Sequence, residues 1–190
     1  MHAFDYISVL FSFVYAAAVV HLLATAGDIA IALKRVRFSW LNAGWMLASL
    51  FAVTAWWIGV WDLRGIGTWS MTSIGFFFAV ACLMYLEVRL VCPRIASEGP
   101  VDLGSFHRTE GRKYVGAYSI VMLVTAGTNA FYASGSASWV AQNTAILPMA
   151  VTSLAAAVFI SIRWVQYGAV LVQLAMWMLY FTVLQPALAG

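Results

Sequence analysis

An all-α bundle of six membrane-spanning helices is the fold the sequence predicts, from its composition, the lengths of its apolar runs and the placement of its basic residues. Of 190 residues, 64% are apolar and 9% are Asp, Glu, Lys or Arg, where a soluble domain carries roughly 25% charged residues. Ten basic and seven acidic side chains are too few to keep so much apolar surface soluble. That excludes a water-soluble enzyme, a nucleic-acid binder and a disordered chain. A hydrocarbon core of about 30 Å takes roughly 20 apolar residues per helix. Residues 7–33, 41–61, 71–91, 115–132, 141–162 and 165–184 meet that length between polar breaks. Residues 1–190 then form a single integral membrane domain.

Basic residues fall in alternate gaps. Lys34, Arg35 and Arg37 follow the first span, Arg89, Arg94, Arg108, Arg112 and Lys113 surround the gap after the third, Arg163 follows the fifth, and only Arg64 lies on the other side. Short cytoplasmic loops retain Lys and Arg, so both termini are expected outside, periplasmic if the membrane is a bacterial inner (plasma) membrane. This asymmetry accounts for the net charge of +3 without an anionic ligand. Three spans precede the cytoplasmic loop 93–113 and three follow it. Met84, Tyr85 and Pro93 close the first half much as Met178, Tyr180 and Pro186 close the second, an arrangement that admits a 3+3 inverted repeat.

The first span lacks a basic leader and runs into Lys34, which fits a retained helix better than a cleaved signal peptide. In it His21, Asp28 and Arg35 recur every seven residues, so they fall within about 40° of one another on a helix, and Thr25 shares their face. Ionisable groups inside a membrane by default face the bundle interior or a wet cavity. His21, Thr25 and Asp28 are therefore the expected polar path. With an unperturbed pKa of about 6.5, His21 is its candidate protonatable group. The alternatives are a structural histidine and a solvated Asp28–Arg35 pair.

Around the second span, Trp40 falls at the inner boundary with Trp164, while Trp56, Trp57 and Trp61, with Trp69 and Trp139, fall at the outer one as interfacial anchors. The third span carries Glu87 to the depth of Asp28, with Arg89 just beyond. An unpaired buried charge costs several kcal/mol, so Asp28 or Glu87 is expected to pair with Arg35 or Arg89. That charged layer reads as an inner gate or as a structural clasp between spans one and three. Cys82 is expected to be a small buried residue and Cys92 an interfacial one, about ten residues apart and too distant along a helix for a disulfide. Loop 93–113 reads as a solvated connector.

Pro148 is expected to kink the fifth span and leave the stretch from Asn143 as a second candidate polar cavity. Ser153, Ala157 and Ser161 give that span a small residue every fourth position, suited to close helix approach. The sixth span places Gln166, Gln173 and Tyr180 seven residues apart. Gln173, near the bilayer centre, is expected either to bond Asn129 or Ser153 as interhelical glue or to line a substrate path.

No cofactor or metal is expected. The only lysines, Lys34 and Lys113, lie in loops, which leaves no attachment point for retinal. His21 is the only histidine within the spans, since His2 and His107 fall outside them, so a bis-histidine haem site is excluded too. Clustered metal ligands, a phosphate-binding loop and a nucleophile elbow are all absent from the sequence. Enzymatic activity is not expected. Two functions remain: a channel or transporter for an ion or small solute, working in the lipid bilayer as a homo-oligomer, or a non-catalytic subunit of a larger membrane complex.

Overall fold

The structure, a computed structural model, describes residues 3–65, 68–95, 99–132 and 137–184, with the backbone alone at 3, 62, 65, 132 and 137–140. His2, Pro186 and the side chain of Trp139 lie outside the described residues. Six helices make up almost all of it: α1 (Ala3–Ile31), α2 (Trp40–Gly59), α3 (Met71–Val91), α4 (Leu103–Tyr132), α5 (Ala137–Val158) and α6 (Arg163–Leu179). A 3-10 stretch, Val60–Gly65, follows α2, and a π-helical stretch, Tyr180–Leu184, follows α6. All six helices are long and apolar enough to cross a membrane, and the chain is an integral membrane protein.

The helices pack as a closed ring in the order α1, α3, α4, α5, α6, α2, and α2 also reaches across to α3 and α4. In α1 the buried stripe is Ile7, Phe11, Tyr15, Ala18, Leu22, Thr25 and Ile29, in steps of three or four residues as one helical face requires. Gly44 of α2 lets α6 approach closely, since a Cβ there would come within 2.4 Å of Val170 Cγ1. Ser153 and Ala157 of α5 are buried as their spacing implies, while Ser161 sits in the turn after the helix. Pro148 is accommodated within α5 without ending it, and Thr152 Oγ1 donates back to the Pro148 carbonyl at 2.7 Å.

Residues 32–39, 92–95, 99–102 and 159–162 meet at one end of the bundle. There β1 (Val36–Arg37) pairs in parallel with β2 (Val101–Asp102), and the Val101 N–H donates to the Arg35 carbonyl at 3.0 Å. Arg35 and Arg37 add side-chain bonds to Gly99 O (3.3 Å) and Asp102 Oδ2 (3.4 Å). Three expectations need correction here. Helix α4 starts at Leu103, so just over half of loop 93–113 is helical; Asp102 Oδ1 accepts the Ser105 N–H at 2.9 Å and starts the helix before the apolar run begins. The break between the last two helices falls at 159–162, ahead of Arg163. Cys82 is exposed on α3 and Cys92 is buried, because Cys82 lies off the Phe77, Val80, Ala81, Met84, Glu87, Val88 stripe that faces the core.

Candidate functional site

Glu87 is the buried acidic group among the described residues. It points from α3 toward α2 and is 3% exposed. Ser49 Oγ lies 2.7 Å from Glu87 Oε1 and 2.9 Å from the Trp45 carbonyl oxygen. A hydroxyl has one hydrogen to donate. Ser49 shares its hydrogen between these two acceptors, and when the Glu87 carboxyl holds a proton it donates that proton to Ser49, leaving Ser49 to donate to Trp45 alone. When that proton leaves, Ser49 has two acceptors and one hydrogen. Tyr114 and Tyr118 of α4 lie within electrostatic reach of the carboxyl.

The expected charge clasp takes a different form. Residues two apart on a helix point about 200° apart, so Arg89 leaves α3 on the side away from Glu87. Its Nη1 donates to His21 Nε2 at 2.9 Å on the outer seam of α1 and α3. A guanidinium cannot accept a hydrogen bond, so His21 is the acceptor, a neutral ring with its proton on Nδ1. His21 is half-buried, Asp28 is exposed, and Thr25 is buried with its Oγ1 donating to the His21 carbonyl at 2.9 Å. Arg35 lies beyond the last helical residue, Ile31, so the seven-residue spacing no longer sets its direction. Among the described residues Asp28 bonds to neither arginine, and the structure brings together His21 with Arg89 and Glu87 with Ser49.

Gln173 is fully buried, and its partners differ from those expected. Its Nε2 donates to Met149 O (2.9 Å) and Thr152 Oγ1 (3.1 Å) of α5, and its Oε1 accepts from Tyr118 Oη (3.1 Å). Trp177 Nε1 donates to the same Tyr118 oxygen at 2.9 Å. The chain of bonds closes on a main-chain carbonyl and ties α4, α5 and α6 together. Asn129 and Asn143 bond each other at 3.4 Å, and Asn143 also donates to Ala126 O, so Asn143 faces α4. Trp56 is buried and donates to Thr125 Oγ1 at 2.8 Å, a packing contact instead of an anchor. Trp40, Trp57, Trp61 and Trp164 are exposed as anchors require.

Sequence reasoning passed over His107 and Asn42. His107 was placed in a loop; on the early turns of α4 it is 3% exposed, with Nδ1 bonded to the Tyr114 hydroxyl. Asn42 is buried at the start of α2, where Nδ2 donates to Val91 O at 3.1 Å and the side-chain amide stands beside Tyr114. The seven-residue spacing from His107 to Tyr114 is the signal that would have found the first. His107, Tyr114 and Asn42 thus lead from the end of the bundle where the loops meet toward Glu87. No family model, curated protein or solved structure matches this chain.

Proposed function

We propose that the chain is a transporter or channel for a small solute or ion, with Glu87 as the group that takes up and releases a proton during its cycle. One observation carries this reading: an acidic side chain sealed inside the bundle, whose bonded partner among the described residues is a serine that already has another acceptor. A fixed salt bridge would lock the carboxyl in one state, whereas a lone serine leaves its bonding dependent on the proton. A change at Glu87 alters the contact between α2 and α3, and α2 touches four other helices. The His107–Tyr114–Asn42 series offers the approach from the basic end, which we take as cytoplasmic by the distribution of Lys and Arg. His21 and Asp28 lie on the outer side of α1, away from this route, and Gln173 braces α4, α5 and α6 beside it.

We assign the protein to a bacterial inner membrane with both termini periplasmic, its halves in a 3+3 arrangement, acting as a homo-oligomer because six helices enclose little space. Purified protein in liposomes carrying a pH-sensitive dye tests the transport reading. Native protein should show flux that depends on pH, and Glu87→Gln should remove that dependence while keeping its melting temperature. Absence of flux in the native protein contradicts the reading.

A lipid-facing apolar groove between α1 and α2, about 360 Å³ and lined by Leu22, Ala26, Ala30, Met46 and Leu50, favours the second reading, a subunit of a larger complex. Small residues on its floor admit a close helix. Stoichiometric co-purification of a membrane protein, lost on Ala26→Leu, would support it.

A further inference from the structure

Every residue lining the groove between α1 and α2 is apolar, and the groove holds about 360 Å³. Short side chains at Ala26, Ala30 and Ala43 leave the space. From Leu22 to Leu33 the groove follows α1 for about 16 Å at 1.5 Å per residue, half the depth of a hydrocarbon core of about 30 Å. That volume over that length is a channel about 5 Å wide. A helix with its side chains is about 10–12 Å across, so it could lie over the channel but not enter it. A single file of methylene groups, whose carbons meet their neighbours at about 3.5–4.0 Å, fits.

Charge marks one end of the groove. Leu33 and Phe38 close it at the end of the bundle where the loops meet, and each adjoins a basic residue, Lys34 after Leu33 and Arg37 before Phe38. Arg37 is occupied by Asp102. Lys34 is exposed, and among the described residues no carboxylate bonds to it. Asp28, the acid nearest to it in sequence, lies two residues from both Ala26 and Ala30 and therefore leaves α1 on the opposite side. Apolar walls one leaflet long thus end beside a free cation, the order in which a phospholipid presents its acyl chain and its phosphate.

We propose that the groove holds one acyl chain of an anionic phospholipid from the leaflet at the basic end, with its phosphate beside Lys34. Lipid tails are as apolar as leucine, so the chain is held by van der Waals packing, and Lys34 selects the headgroup. One lysine near the membrane surface favours an anionic lipid by about fivefold. The proposal does not rest on proton exchange at Glu87, because binding is read without flux.

The test is native mass spectrometry of the full chain in neutral detergent, titrated separately with phosphatidylglycerol and phosphatidylcholine of identical chains. One phosphatidylglycerol per chain should bind saturably, about fivefold more tightly than the choline lipid. Ala30→Phe fills the groove with a ring and should abolish the saturable adduct, whereas Ala24→Phe, at an exposed position of α1 outside the groove, should keep it. Lys34→Gln should keep the adduct and lose the preference for the glycerol lipid. Melting temperatures establish that the variants fold, and Lys34→Gln reads the headgroup contact without altering the helices. Adducts that accumulate without saturating, an adduct retained in Ala30→Phe or lost equally in Ala24→Phe, or a preference that is absent or survives Lys34→Gln would overturn the proposal, as would a protein bound at the groove in place of lipid.

Discussion

Ser49 and Glu87 show how much one hydrogen atom decides inside a membrane. Ser49→Ala leaves the buried carboxyl without its partner, and should lower stability by about 1–3 kcal/mol. Glu87→Gln should leave stability unchanged, because its amide still donates to Ser49. Unfolding midpoints of the two variants in detergent check the order. At the surface, the Ser105 N–H on Asp102 Oδ1, helped by Arg37, holds that carboxyl below its ordinary value of 3.8. A carboxyl with a lower pKa in the folded than in the unfolded state adds stability above the unfolded value and loses it as pH falls through the folded one. Melting temperature should be flat on this account from about pH 8 to 5 and fall below about pH 4. Asp102→Asn should lessen that fall in a pH series of melts. Glu87 was legible as a buried acid from its depth in the third span. Its partner was not, because depth along a helix is read from residue number whereas direction around it depends on which neighbour packs there. Arg89, two residues on, shares the depth and faces the other way.

Helices in lipid gain little from burying apolar surface against one another, and close approach and hydrogen bonds supply the specificity. Gly44 is the sharpest case. A Cβ there meets Val170 Cγ1 at 2.4 Å, while one at Gly27 meets nothing within 4 Å. Gly44→Ala should therefore destabilise by about 1–3 kcal/mol and Gly27→Ala should not, as thermal unfolding of the pair would show. Element by element, apolar length located all six spans and placed the third at its observed bounds, 71–91. It misjudged the start of α4, since a helix leaving the bilayer needs only a cap and a few polar pairs such as Lys113–Glu110 at 2.6 Å. It also misjudged the turn after α5, where Gln166, not the charge of Arg163, ties the two helices. The parallel β1–β2 pairing, two residues long on each side, is below any sequence pattern.

For the whole molecule, one end of the bundle gathers the three connecting segments and most of the positive charge. In a cysteine-free background, Ser105→Cys should resist an impermeant maleimide in intact cells while Thr68→Cys reacts; the reverse pattern would turn the molecule over. The ring of helices, with α2 touching four neighbours, makes the α2–α3 contact the place where a local change reaches the rest of the fold. Proton exchange at Glu87 would act at that contact. Infrared difference spectra of the protein in liposomes, stepped between acid and alkaline buffer, test it most directly. A carboxylic C=O band should change with pH, be lost in Glu87→Gln and be retained in Asp28→Asn. A spectrum in which no carboxyl band responds, or one in which the responding band survives Glu87→Gln, would contradict it.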